Sequence, residues 1–170
     1  MKKQLNLKKK SGFTLIELMI VLAIIAILAV VLIPKSQIFK GQSKNAGVTT
    51  NVNTVRGYLE TKVSDNGGAS EYLDTGALGT QIGNNFGLAS SSNDGVYSPS
   101  GSSTEEQLIN PFGKDKASVK IVDKSSSALN EASTSDTGVD GEVIIQVYSD
   151  GYAVYGVDKG SAPTQLFKVK

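Results

Sequence analysis

From Leu18 to Ile33 every position is apolar, drawn only from Leu, Met, Ile, Val and Ala. From Phe13 the stretch spans 21 residues, interrupted by Thr14 and Glu17. A helix apolar on all sides is buried in lipid or among other helices, and about 20 residues suffice to cross a bilayer. Pro34 follows; it removes a backbone donor and disfavours helical geometry at Ile33, which predicts a kink or local melt. Beyond it the pattern becomes amphipathic. Val48, Val52, Val55, Leu59 and Val63 recur at spacings that place them on one helical face. Asp65-Asn66-Gly67-Gly68 is expected to stop the helix.

Residues 65–104 are rich in Gly, Ser and Asn and read as a long connecting loop, with a short helical turn near Leu78–Ile82. Strand patterns come next. Ala117–Val122 alternates, Glu142–Tyr148 and Tyr152–Val157 flank Ser149-Asp150-Gly151 as a hairpin, and Gln165–Val169 reads as the last strand. The predicted fold is α+β. A long amino-terminal helix packs on a small antiparallel sheet of three to four strands, with one face on the Val52/Val55/Leu59 stripe and the other in solvent. The expected organisation is a leader at 1–12, an apolar helix at 13–34, an amphipathic helix at 35–64, a loop at 65–104 and a sheet domain at 105–170.

Charge sharpens the picture at the amino end. Lys2, Lys3, Lys8, Lys9 and Lys10 precede Gly12 with no acid among them. The remainder carries 12 basic against 16 acidic residues, so a broad nucleic-acid-binding surface is not expected. The lysines favour a cytoplasmic amino terminus. There is no His and no Cys, which excludes His-based triads, thiolate chemistry and disulfides. No Gly-x-Ser-x-Gly or phosphate-loop motif occurs. An enzyme is not expected, nor a cofactor.

A basic stretch before an apolar one also describes a secretory signal, but no small-residue cleavage site closes this run and it is too long for an h-region. Glu17 then stands out, because a carboxylate within a membrane segment costs roughly 2.5–3.5 kcal/mol on insertion scales and is normally functional. Gly12-Phe13-Thr14-Leu15-Ile16-Glu17, after its lysine-rich leader, resembles the class III signal peptide of type IV prepilins and the related pseudopilins. The resemblance is close over residues 8–34 and weak afterwards. It implies cleavage between Gly12 and Phe13 by a prepilin peptidase and N-methylation of Phe13. Pilins of this family often have a glycine eight residues before the proline; here it is Ala26. Many also close the carboxyl region with a disulfide, which this chain cannot form.

Cleavage would create an α-amine at Phe13, largely protonated at neutral pH given a reference pKa near 8. Pairing that amine with Glu17 of an adjacent subunit would remove two buried-charge penalties and set axial register; pairing within one chain is the simpler possibility. The resemblance implies a structural subunit of an extracellular type IV pilus serving motility, adhesion or biofilm formation. Its partners would be further copies of itself in a helical filament, the peptidase, an assembly platform and ATPase, and the cytoplasmic membrane before assembly. A pseudopilin of a type II secretion system or a minor or competence pilin is the alternative within the class. A membrane-anchored adhesin or binding module is the alternative outside it.

Three further features carry weaker readings. Asp136, Asp140 and Glu142 are weak candidate calcium ligands, because their spacing is not that of an EF-hand and an acidic solvated loop is the favoured reading. Lys114, Lys116, Lys120 and Lys124 alternate with Asp115 and Asp123 and read as a solvated edge. Asn110-Pro111-Phe112-Gly113 reads as a turn before the sheet and resembles one found in many pilins.

Overall fold

The computed structural model describes residues 12–66, 69–91, 94–101 and 107–170. The leader residues 1–11 and the Gly67-Gly68 stop lie outside the described residues. The chain divides into two units, residues 1–40 and 41–170. Helix α1 is Leu15–Glu60. The backbone stays helical through Pro34, so the local melt considered there does not form.

In the first unit, Leu15–Leu32 is long and apolar enough to cross a membrane, and none of it is buried within the chain. At 1.5 Å per residue it spans about 27 Å, close to the hydrocarbon thickness of a bilayer. Leu, Ile and Val on every side leave no face on which water would be a good solvent.

The second unit is built around one sheet. After α1 come β1 (Ser64–Asn66) and β2 (Ala69–Glu71), which form a separate two-stranded hairpin. Helix α2 (Thr75–Asn85) follows, then β3 (Leu88–Ser90), β4 (Val96–Pro99), β5 (Val119–Lys124), β6 (Val143–Tyr148), β7 (Gly151–Gly156) and β8 (Phe167–Val169). Strands β3 to β8 lie side by side in chain order in a six-stranded sheet.

The sheet therefore has six strands rather than three or four, and two of them, with α2, come from the stretch expected to be a loop. Gly76, Gly79 and Gly83 weaken the helical signal of α2. Tertiary burial of Leu78 and Ile82 supports it instead, and the Asp74 side chain caps it by accepting from the Ala77 amide at 2.8 Å. Nor is the sheet wholly antiparallel, because β5 and β6 pair in parallel from Val119↔Val143 to Lys124↔Tyr148. Residues 125–142 join them, and a connection that long permits the crossover a parallel pair requires.

The solvated second face also needs correcting, since every residue of β6 and β7 is buried. On one face Val143, Ile145, Val147, Tyr152 and Val154 pack with Val48, Val52, Val55 and Leu59 of α1 and with Leu78 and Ile82 of α2. On the other, the 125–142 crossover lies over the sheet. Leu129 packs with Tyr148 and Ala153, while Ile144, Tyr155 and Val157 form a neighbouring cluster. The crossover is pinned by polar contacts as well. Gln146, fully buried, donates through Nε2 to the Ser133 carbonyl at 2.7 Å and to Asp136 Oδ2 at 2.5 Å, and accepts from the Tyr148 hydroxyl at 3.0 Å. Strands covered on both sides read as continuous apolar runs, as Val143-Ile144-Ile145 does.

The helix approaches the sheet closely at Gly156, where a β-carbon would meet the methyl groups of Val48 and Val52. Gly156→Val should therefore lower the unfolding free energy of the full chain by roughly 1–3 kcal/mol through overpacking. Gly57→Ala, at an exposed helical site with nothing within 4 Å of the new methyl, should raise it by about 0.5–1 kcal/mol. Urea unfolding followed by circular dichroism would measure both.

Candidate assembly site at the amino-terminal helix

Gly12, Phe13 and Thr14 precede the first helical residue, Leu15, and are non-helical and exposed; Phe13 is 88% accessible. The expected scissile bond, Gly12–Phe13, thus lies outside the helix. Four backbone N–H groups at a helix start have no intrahelical acceptor, and Thr14-Leu15-Ile16-Glu17 answers two of them reciprocally. The Glu17 amide donates to Thr14 Oγ1 at 3.3 Å, and the Thr14 amide donates to Glu17 Oε2 at 2.8 Å. The Thr14 hydroxyl donates to that same oxygen, also at 2.8 Å. This is a capping box. Glu17 is therefore held by its own chain. The nitrogen of Phe13 is still an amide in the uncleaved chain, so the expected Phe13–Glu17 ion pair has no amine to form with here. Thr14 is the residue that sequence reasoning passed over. The signal was present, as Thr-x-x-Glu before an apolar run marks a helix start.

In the second unit the three calcium candidates serve separate structural ends. Asp136 forms an ion pair with Lys124 at 3.0 Å and accepts from Gln146. Asp140 Oδ1 accepts from the amides of Gly160 and Ser161, both at 3.0 Å, and those two hydrogen bonds hold its carboxyl below the usual carboxylate range. Ser161 sits at φ 61° and Gly160 at φ 80°, so the turn points two successive N–H groups at one acceptor. Glu142 is almost wholly buried and accepts from the Val139 amide at 2.9 Å. Among the described residues no three metal-ligating side chains come together.

Lys120 and Lys124 are not on a sheet edge, because β5 lies between β4 and β6, whereas Lys114 and Lys116 precede the strand and are exposed. Lys120 donates to the Thr137 carbonyl at 2.8 Å and Lys124 is paired with Asp136, so both hold down the crossover. Asn110 is an anchor rather than a plain turn residue. It is buried, donates to the carbonyls of Ala117 and Asp140 at 2.6 and 3.0 Å, and accepts from the Phe112 amide at 2.8 Å. Gly141, at φ 91°, leaves the room this needs, since a β-carbon there would collide with the Asn110 side chain.

Burial pushes the Glu142 carboxyl above its ordinary value of 4.5, outweighing the Val139 hydrogen bond and the nearby Lys120 charge. A folded-state pKa raised above the unfolded one favours the protonated form. Its stabilising contribution is thus full at low pH and is lost as pH rises through the folded value. Glu142→Gln keeps an acceptor for the Val139 amide and removes the titration. The variant should gain stability relative to the native chain as pH rises from 4 to 7, as measured by urea midpoints at each pH.

The profile described as the prokaryotic N-terminal methylation motif matches residues 7–33. The chain is similar to the type IV major pilin protein PilA of Myxococcus xanthus, 35% identical over 79 residues covering 46% of this chain and 36% of that one. It is also similar to two type IV major fimbrial proteins FimA of Dichelobacter nodosus. One is 45% identical over 62 residues, covering 36% of this chain and 40% of the relative; the other is 40% identical over 85 residues, covering 50% and 52%. The chain thus spans about half or less of the length of these relatives. No solved structure matches it significantly. The chain thus carries an N-terminal methylation motif at the head of an exposed apolar helix and is similar, over half of its length or less, to a type IV major pilin and two type IV major fimbrial proteins.

Proposed function

We propose that this chain is a structural, non-enzymatic subunit of a type IV pilus. The observation that carries the reading is the unburied apolar helix Leu15–Leu32, headed by a single carboxylate and an exposed Gly12-Phe13 junction. A prepilin peptidase would cut between Gly12 and Phe13 and methylate the new amine. The helix would hold the subunit in the cytoplasmic membrane until a platform protein and ATPase draw it into a filament at the cell surface.

Packed against other copies, the apolar side chains exchange lipid contacts for contacts with one another. Apolar surface withdrawn from water in the extracellular filament contributes about 25 cal/mol per Å². A head-to-tail interface whose rotation does not close gives an open helical polymer. Within it, Glu17 would accept from the Phe13 amine of a neighbouring copy, and Pro34 is where the missing backbone donor would let the helix kink to fit that packing.

Glu17→Ala should leave cleavage largely intact and cut filament yield by at least about tenfold, the scale of losing one desolvated ion pair. Immunoblots of sheared and cell-associated fractions from the native host would show it. Filaments at the native level would remove the pairing argument.

A further inference from the structure

The capping box gives Thr14 a task that neither cleavage nor ion pairing requires. We propose that Thr14 is the positioning residue for Glu17, holding its carboxylate at the amino end of α1 in the unassembled subunit and releasing it to a neighbour's Phe13 amine on assembly. This rests on the reading of the chain as a pilus subunit.

Both donors of Thr14 converge on Glu17 Oε2. A carboxylate has about four lone-pair sites, so the cap leaves capacity for an incoming amine. Without the cap, a single subunit would bring an ionised carboxylate and several orphaned N–H groups to the edge of the hydrocarbon, where no water serves them. With it, Glu17 stays solvated by its own chain at the helix start, where the N-terminal dipole also favours negative charge. The location matters as much as the solvation. Thr14 directly follows Phe13, so the carboxylate is held at the level of the amine that cleavage creates. A neighbour shifted along the filament axis can then present its own amine at that depth, and the ammonium replaces a neutral hydroxyl as the stronger donor.

Two variants separate this role from a packing role. Thr14→Val keeps the β-branched shape and removes the hydroxyl; Thr14→Ser keeps the hydroxyl and loses a methyl group. In the native host, both should be cleaved like the parent chain. Thr14→Val should yield about tenfold less sheared filament, the scale of one lost charge-assisted hydrogen bond, while Thr14→Ser stays near the native yield.

A second readout needs no assembly. In the full chain reconstituted in phospholipid nanodiscs, amide exchange at Glu17 should quicken about tenfold in Thr14→Val and hold in Thr14→Ser. Native filament yield from Thr14→Val, equal defects in the two variants, blocked cleavage, or unchanged Glu17 exchange would each overturn the proposal. Were the parent chain itself missing from the sheared fraction, the subunit reading would fail, and exchange at Glu17 would still decide the cap.

Discussion

One carboxylate at the head of an all-apolar helix is the constraint on which the rest of this chain turns. In hydrocarbon every backbone and side-chain polar group must find a partner within protein. Thr14 and Glu17 meet that demand for each other and for two of the orphaned groups at the start of α1. The helix beyond them has no polar side chain until Lys35, so nothing else in Leu18–Ile33 competes for the partner that Glu17 would recruit. A single polar site in an apolar surface is a strong register mark, because any misaligned neighbour leaves the carboxylate facing methyl groups.

The second unit solves a different problem, that of building a stable core without disulfides. It does so by covering a sheet twice. Val48, Val52, Val55 and Leu59 of α1, together with α2, close one face, and the 125–142 crossover closes the other with Leu129 and the Gln146–Asp136–Lys124 chain of polar contacts. The acidic residues that resemble a cation site are spent inside this architecture. Asp136 ties the crossover to the sheet, Asp140 fixes the 158–161 turn, and Glu142 caps the approach to β6.

Legibility in the sequence followed the strength of each local signal. The apolar run and the Val48/Val52/Val55/Leu59 face were plain, because a periodic or unbroken pattern over many residues has one structural meaning. The Tyr148–Gly151 hairpin was visible from Asp150-Gly151, although its loop is two residues, Ser149 and Asp150, rather than three. Helix α2 was legible only as a short turn near Leu78–Ile82, since its glycines argue against the full Thr75–Asn85 helix that Leu78 and Ile82 secure by burial. The short strands β3 and β4 offered three and four residues each, too few for alternation to show. The parallel β5–β6 pairing depends on where an 18-residue connection runs, a tertiary choice with no local mark. At the amino end Glu17 was singled out for its charge, while its capping partner Thr14 went unread although both residues lie in one four-residue motif.

The most direct test of the central claim is the intact mass and amino-terminal sequence of the subunit sheared from the surface of its native cells. The account predicts a chain that begins at Phe13 and carries one added methyl group, about 14 Da. A surface-recovered chain that keeps residues 1–12 would contradict it, because Phe13 would then have no amine to offer Glu17.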